Sequence, residues 1–402
     1  MDVVSDAGQS PREVAGVERV AAVPREVDVR RKKQDARQWV RACPHPYLSK
    51  GTGKFLGGPL VSNRMPSNRR DSRKSKGSKG RTRILFLYNN PSAFVHQDLA
   101  ILRSEYEVDA HQVSGKYSFR EVLRALQGAT LSFSWFALGY AARAVILGKL
   151  LGRPSIVVSG GWDVLSMPEI GYGAVGSRRA NLRARIALRY ATRPLTFSNW
   201  SRKVIHELVG REPELVYLGV DVERHRPSAS KEDIVVTVGN VTRENLARKG
   251  LETFARAARL LPDIRFVLVG RHADDGMEAL RALAPRNLEL PGWLPDDELV
   301  DLLGRAKVYV QVSYTEGFGL ALAEGMACGA VPVVTAAGSI PEVAGDVGYY
   351  VPFGDAQRTA GAIHEALSSG RGPSARQRVV DRFPLAARRE KILRVVREIS
   401  GS

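Results

Sequence analysis

The residues best placed to do chemistry lie at Glu316-Gly317-Phe318-Gly319-Leu320-Ala321-Leu322-Ala323-Glu324, directly after an apolar run that reads as a strand. Two glycines let the backbone approach a ligand closely, and the helix expected to follow would point its unbonded N–H groups at that ligand. This arrangement suits an anion such as a diphosphate. Glu316 falls in the loop before the glycines, where a carboxylate can accept hydrogen bonds from sugar hydroxyls. Glu324 lies along the helix, where it can accept from a ribose. Two glutamates eight apart are common as a solvated pair, but strand, glycine loop, helix and the following Gly338-Ser339-Ile340-Pro341-Glu342 together favour a site.

A second cluster, Val238 to Gly250, holds Asn240, Arg243 and a Lys249-Gly250 pair opening a helix. Cations at a helix start oppose its dipole unless an anion sits between them. A third is Ser159-Gly160-Gly161-Trp162-Asp163, after another short apolar strand.

Glu316–Glu324 resembles the E-x7-E signature of the family-4 retaining glycosyltransferases with the GT-B fold, and the likeness extends over about residues 84–400. It takes in Tyr217-Leu218-Gly219-Val220-Asp221, Val267-Leu268-Val269-Gly270 and residues 352–355. The resemblance implies that Glu316 holds the donor sugar. The amides of Gly317, Phe318, Gly319 and Leu320 would hold phosphates, Glu324 the ribose, and Lys249 the diphosphate. Where the family has a second cation this chain has Asn240, so Arg243 is the expected substitute. Many relatives carry a histidine three residues before the position of Asp163, where this chain has Gly160. The glycines there would let a substrate approach the backbone, and Asp163 reads equally as an acceptor ligand or base and as a helix N-cap. Retention of configuration is likewise implied by the resemblance.

The seven histidines show no ligand spacing, and no Asp-x-Asp occurs. The expectation is therefore no metal and no cofactor, with Lys249, Arg243 and the loop amides neutralising the leaving group.

Strands alternate with helices on both sides of residues 217–221, which predicts an α/β chain of two Rossmann-like doubly wound lobes facing each other across a cleft. Expected strands in the first lobe are 83–88, 107–113, 131–134, 155–158, 194–197 and 214–217, with helices at 93–103, 120–126 and 178–193. In the second the strands are 234–238, 265–269, 288–290, 307–312, 331–335 and 348–351, with helices at 250–261, 297–304 and 320–328. The domain reading is a disordered basic extension over 1–80, an acceptor-side lobe over 81–218, a nucleotide-sugar lobe over 219–382 and a closing helix over 383–402. The 402 residues suit two domains plus extras, and 44% hydrophobic content is ample for their cores.

The net charge of +18 is uneven, since residues 1–80 hold 18 Lys and Arg against 8 Asp and Glu. That stretch has no sustained apolar periodicity, hence the disordered reading. Two distant cysteines, Cys43 and Cys328, argue against a disulfide framework, and no apolar leader opens the chain. A cytoplasmic setting follows, with the inner membrane face as a second option. The apolar run 131–152, interrupted by Arg143 and Lys149, reads as buried rather than spanning. Residues 178–190 form a basic amphipathic helix, read either as a solvated face or as a peripheral contact with anionic lipid. The expected partners are a nucleotide sugar and a glycan, lipid-linked or small-molecule acceptor, with no specific nucleic acid. Rival readings are a sugar-nucleotide epimerase of the same fold, a catalytically weak nucleotide-sugar binder, and a nucleic-acid binder acting through the basic arm.

Overall fold

The structure, a computed structural model, describes residues 82–115, 117–272 and 274–401, all within one compact unit. The extension read as disordered lies outside the described residues.

In the first lobe the chain runs β1 (Arg83–Tyr88), α1 (Ala93–Arg103), β2 (Glu107–Gln112), α2 (Phe119–Gln127), β3 (Leu131–Trp135) and α3 (Gly139–Leu150). It continues through β4 (Ser155–Val158), α4 (Arg178–Tyr190), β5 (Arg193–Thr196), α5 (Asn199–Val209) and β6 (Glu214–Leu215). The second lobe runs β7 (Glu232–Val238), α6 (Arg243–Arg248), α7 (Leu251–Leu260), β8 (Arg265–Val269), α8 (Gly276–Leu283), β9 (Leu288–Gly292), α9 (Asp296–Arg305) and β10 (Ala306–Gln311). After it come α10 (Leu320–Ala327), β11 (Val331–Thr335), α11 (Ile340–Ala344), β12 (Tyr349–Val351), α12 (Ala356–Ser368), α13 (Gly372–Arg382) and α14 (Leu385–Ser400).

Each lobe is a six-stranded sheet, ordered β2-β1-β3-β4-β5-β6 and β12-β11-β10-β7-β8-β9, and every pairing is parallel. Parallel strands buried on both faces must be apolar throughout, and Ile84 to Leu87, Ile234 to Val236 and Val331 to Val334 are. The order reverses beside β1 in one lobe and beside β7 in the other. Crevices beyond the carboxyl ends of β1/β3 and β7/β10 are where such sheets bind ligands.

The apolar run 131–152 divides into β3 and α3. The break comes at Phe136, the one non-glycine residue with positive φ (70°) among those described. The helix expected over 178–193 stops at Tyr190, because Arg193 already pairs with Ile156 in the sheet. The closing helix crosses back to the first lobe. Arg388 of α14 makes a two-pronged ion pair with Asp98 of α1 (2.7 Å each), both fully buried, and also donates to the carbonyls of Val216 and Tyr217. Trp135 Nε1 donates to the same Asp98. Among the described residues no helix is long and apolar enough to cross a membrane.

Candidate donor site between the lobes

The loop after β10 brings Glu316 to the β7/β10 crevice. Its Oε1 accepts from Lys249 Nζ (3.1 Å), Gln311 Nε2 (3.0 Å) and Ser313 Oγ (3.4 Å), with Arg248 Nη1 at 3.9 Å. Burial works to raise the Glu316 carboxyl, but Lys249 and then Arg248 outweigh it and hold it below the usual range. Its carbonyl accepts from the amide (3.1 Å) and hydroxyl (2.9 Å) of Ser339, so the Gly338–Glu342 segment braces the loop from behind.

Lys249 arrives by the turn between α6 and α7. Gly250 has φ +68°, and a Cβ there would sit 2.2 Å from the Val312 carbonyl oxygen, so only glycine lets this turn lie against the end of β10. α10 begins at Gly319 (φ 94°) with no side-chain cap, leaving its first N–H groups open to an anion. Glu324, on the same helix, makes no side-chain hydrogen bond or ion pair with a described residue. Burial, then Asp296, pushes its carboxyl up to about 7 against the pull of Arg224.

Three expectations are corrected, those for Arg243, Asp163 and Gly160. Arg243 does not join Glu316. Its guanidinium forms a bidentate pair with Asp275 (2.7 and 2.8 Å) on the outer surface, and its amide donates to Asp274. The second cation is Arg248, its side chain only 10% exposed and held by Asn245 Oδ1 (2.7 and 3.2 Å). The signal was present, since Arg248 adjoins Lys249, but only the short helix α6 decides which of the two arginines turns inward. Phe318 offers the site no side chain. Its ring is 2% exposed and packs on Phe383 and Tyr217 at 5.4 and 6.2 Å, so any ligand contact falls to its backbone.

Asp163 is not a free acceptor ligand, nor is it an N-cap, because it lies within the short turn Trp162–Val164. It is fully buried. Oδ2 accepts from Ala137 N (2.8 Å) and Ser159 Oγ (2.6 Å), and Oδ1 from Gly161 N (3.1 Å) and Gly160 N (3.5 Å). Burial raises its carboxyl and these donors oppose the rise. It ties the β3 and β4 loops together. Nor does Gly160 make room for a substrate. A Cβ there would fall 2.7 Å from Thr196 Oγ1 and 2.8 Å from Ser201 Cβ.

The lobes touch across this site. A Cβ on Gly317 would meet the Gly160 oxygen at 3.0 Å, and Ser201 Oγ, donating to Gly160, also reaches the Gly317 carbonyl (3.4 Å). Glu342 accepts from the Asn199 amide (2.9 Å) and Tyr217 hydroxyl (2.6 Å), and Tyr314 donates to Glu169 (3.2 Å). Among the described residues no group of three or more His, Cys, Asp or Glu gathers where it could hold a metal ion.

Residues 232–369 match the family model of the glycosyl transferases group 1. The match runs through the second lobe from β7 to α12. The Glu316–Glu324 loop, Lys249 and Arg248 all fall inside it, in keeping with the family-4-like resemblance over about residues 84–400. HepE of Anabaena, solved with UDP and glucose, superposes with a TM-score of 0.66 at 17% identity over 79% of this chain and 100% of that one, and shares the GT-B fold. N-acetyl-alpha-D-glucosaminyl L-malate synthase of Bacillus anthracis is 31% identical over 177 residues, covering 41% of this chain and 44% of its own length. Alpha-maltose-1-phosphate synthase of Mycolicibacterium smegmatis is 29% identical over 214 residues, covering 47% and 52%. The chain thus spans about half the length of these curated relatives.

Proposed function

We propose that this protein transfers a sugar from a nucleotide-diphosphate sugar to an acceptor hydroxyl with retention of configuration, through a GT-B cleft. The observation that carries this reading is the convergence of Lys249 and Arg248 on Glu316 beside the uncapped start of α10. The diphosphate takes Lys249, Arg248 and the amides of Gly317 to Leu320. Its arrival draws both cations off Glu316, whose carboxylate turns to the donor sugar hydroxyls, while Glu324 accepts from the ribose. As the bond from the anomeric carbon to phosphate breaks, its electron pair leaves with the diphosphate, where two fixed cations and oriented amides stabilise the charge. The acceptor oxygen bonds to the same face, and its proton passes to the departing phosphate oxygen. Asp163, saturated by four protein donors, is no candidate for an intervening nucleophile. The reading needs no protein-bound metal.

Incubating the chain with UDP-, GDP-, ADP- and TDP-sugars tests this, following nucleoside diphosphate release with acceptor extracts, with and without EDTA. Release that persists in EDTA and depends on Glu316 is the expected result. Binding without release would make the chain a nucleotide-sugar binder, and release restored only by manganese would refute the metal-free chemistry.

One further observation favours a peripheral membrane contact. Residues 119–190 hold ten Lys and Arg against three Asp and Glu, whereas the rest of the chain beyond residue 81 carries equal numbers. Phe119, Leu150, Leu182 and Tyr190 stand exposed on the packed helices α2, α3 and α4, with Arg143 over Phe119 and Lys149 over Tyr190. Cations among exposed apolar side chains suit an anionic lipid surface. Co-sedimentation with phosphatidylglycerol vesicles, absent with phosphatidylcholine and lost on replacing Arg178, Arg179, Arg183 and Arg185 by Glu, is the result this requires.

A further inference from the structure

Arg248 is the second cation of the site, and one face of its guanidinium is covered from the opposite lobe by Tyr172, with the guanidinium carbon 4.6 Å from the ring centroid. The turn that carries Tyr172 is built to be stiff. Met167 and Tyr172 exchange backbone hydrogen bonds (2.7 and 3.0 Å), and Gly171 at φ +66° closes the loop between them. The same turn is pinned a second time. Glu169 accepts from the Tyr314 hydroxyl, and the Tyr314 amide donates to the Arg248 carbonyl (2.7 Å). The side chain of Arg248 thus packs on this turn, and its main chain is joined to the same turn through Tyr314 of its own lobe.

We propose that the turn Met167–Tyr172 is a clamp that positions Arg248 for the nucleotide diphosphate, adding a hold from the opposite lobe to those of Asn245 and Glu244 in its own. A guanidinium laid on an aromatic face is fixed in plane and loses water on one side, leaving its edge N–H groups for phosphate. Lys249 takes its direction within its own lobe, its stem lying against the Gly239 backbone. Tyr172 is a positioning residue. The ring face does the work, and its hydroxyl has no role.

This inference rests on the nucleotide-donor reading, and its test separates the two. Titration calorimetry of the full chain is run with UDP, GDP, ADP and TDP, and the tightest binder is used throughout. Tyr172→Leu should weaken it about five- to tenfold, and Tyr172→Phe should leave it within about twofold. In an Arg248→Ala background, Tyr172→Leu should have no further effect, because the group it positions is gone. Equal losses from Tyr172→Leu with and without Arg248, or a Phe variant as weak as the Leu variant, would overturn the clamp while leaving the donor reading intact. If no nucleotide binds the parent chain, the donor reading fails and hydrogen exchange still decides the clamp. Arg248→Ala must then speed exchange at residues 166–175 with the rest of the first lobe unchanged, and unaltered exchange there overturns it.

Discussion

The contrast between Arg243 and Arg248 shows what one residue in a cation-rich segment can and cannot do. Both stand in one short helix, and only Arg248 reaches Glu316 while Arg243 satisfies two surface aspartates. Arg248→Ala should therefore weaken nucleoside diphosphate binding by about 1.5–3 kcal/mol, the range for a charged hydrogen bond, and Arg243→Ala by less than about 0.5 kcal/mol. Calorimetric titration of the two variants compares them directly. Glu324 adds a pH dependence with a definite sign. Its carboxyl titrates near 7, so it is mostly protonated at pH 6 and ionised at pH 8. Only the ionised form accepts from both ribose hydroxyls, so nucleotide affinity should rise across that interval. Glu324→Gln should flatten this part of the profile, and a profile unaltered by the substitution would remove Glu324 from the ribose.

At the scale of elements, the strands and their order of appearance are written in their apolar runs. The ranges 155–158, 265–269 and 331–335 coincide with β4, β8 and β11. The loops that join them are not legible in the same way. Gly160 reads in the sequence as an opening for substrate because glycine admits close approach, whereas in the fold the approaching groups are Thr196, Ser201 and Gly317 of the protein itself. Restoring the histidine common among relatives should therefore harm the protein. Gly160→His places a side chain at φ +150° against fixed neighbours and should cost about 2 kcal/mol or more. Thermal unfolding would register this as a lowered Tm, with no gain in turnover. A stability equal to the parent's would mean that Thr196 and Ser201, in the same lobe, yield readily to the added side chain.

For the whole molecule, the lobes are joined by two chain crossings that pair side by side, Val220 with Phe383 and Leu385, and by the buried Asp98–Arg388 pair. Arg388→Ala leaves a carboxylate without its partner in a fully buried site, so it should cost about 3–5 kcal/mol. Arg389→Ala, which loses the exposed pair with Glu105 and an exposed hydrogen bond to Ser104 Oγ, should cost less than about 1 kcal/mol. Denaturant unfolding of the two variants checks the difference.

What the sequence by itself determined follows from short-range physics. The apolar periodicity gives two parallel sheets, and the glycine loop before a helix marks the segment that carries Glu316 and Glu324. These signals are local, because strand burial, turn geometry and helix starts depend on residues a few positions apart. Tertiary structure alone decided that Arg248 rather than Arg243 supplies the second cation. It also decided that Asp163 is spent on holding loops, and that Tyr172, remote in sequence from everything it serves, lies on the guanidinium. Each of these depends on which groups meet in space: Arg248 and Glu316 within the second lobe, Asp163 and the β3 and β4 loops within the first, and Tyr172 and Arg248 across the cleft. That meeting is set by the packing of whole lobes, and no spacing within the chain encodes it.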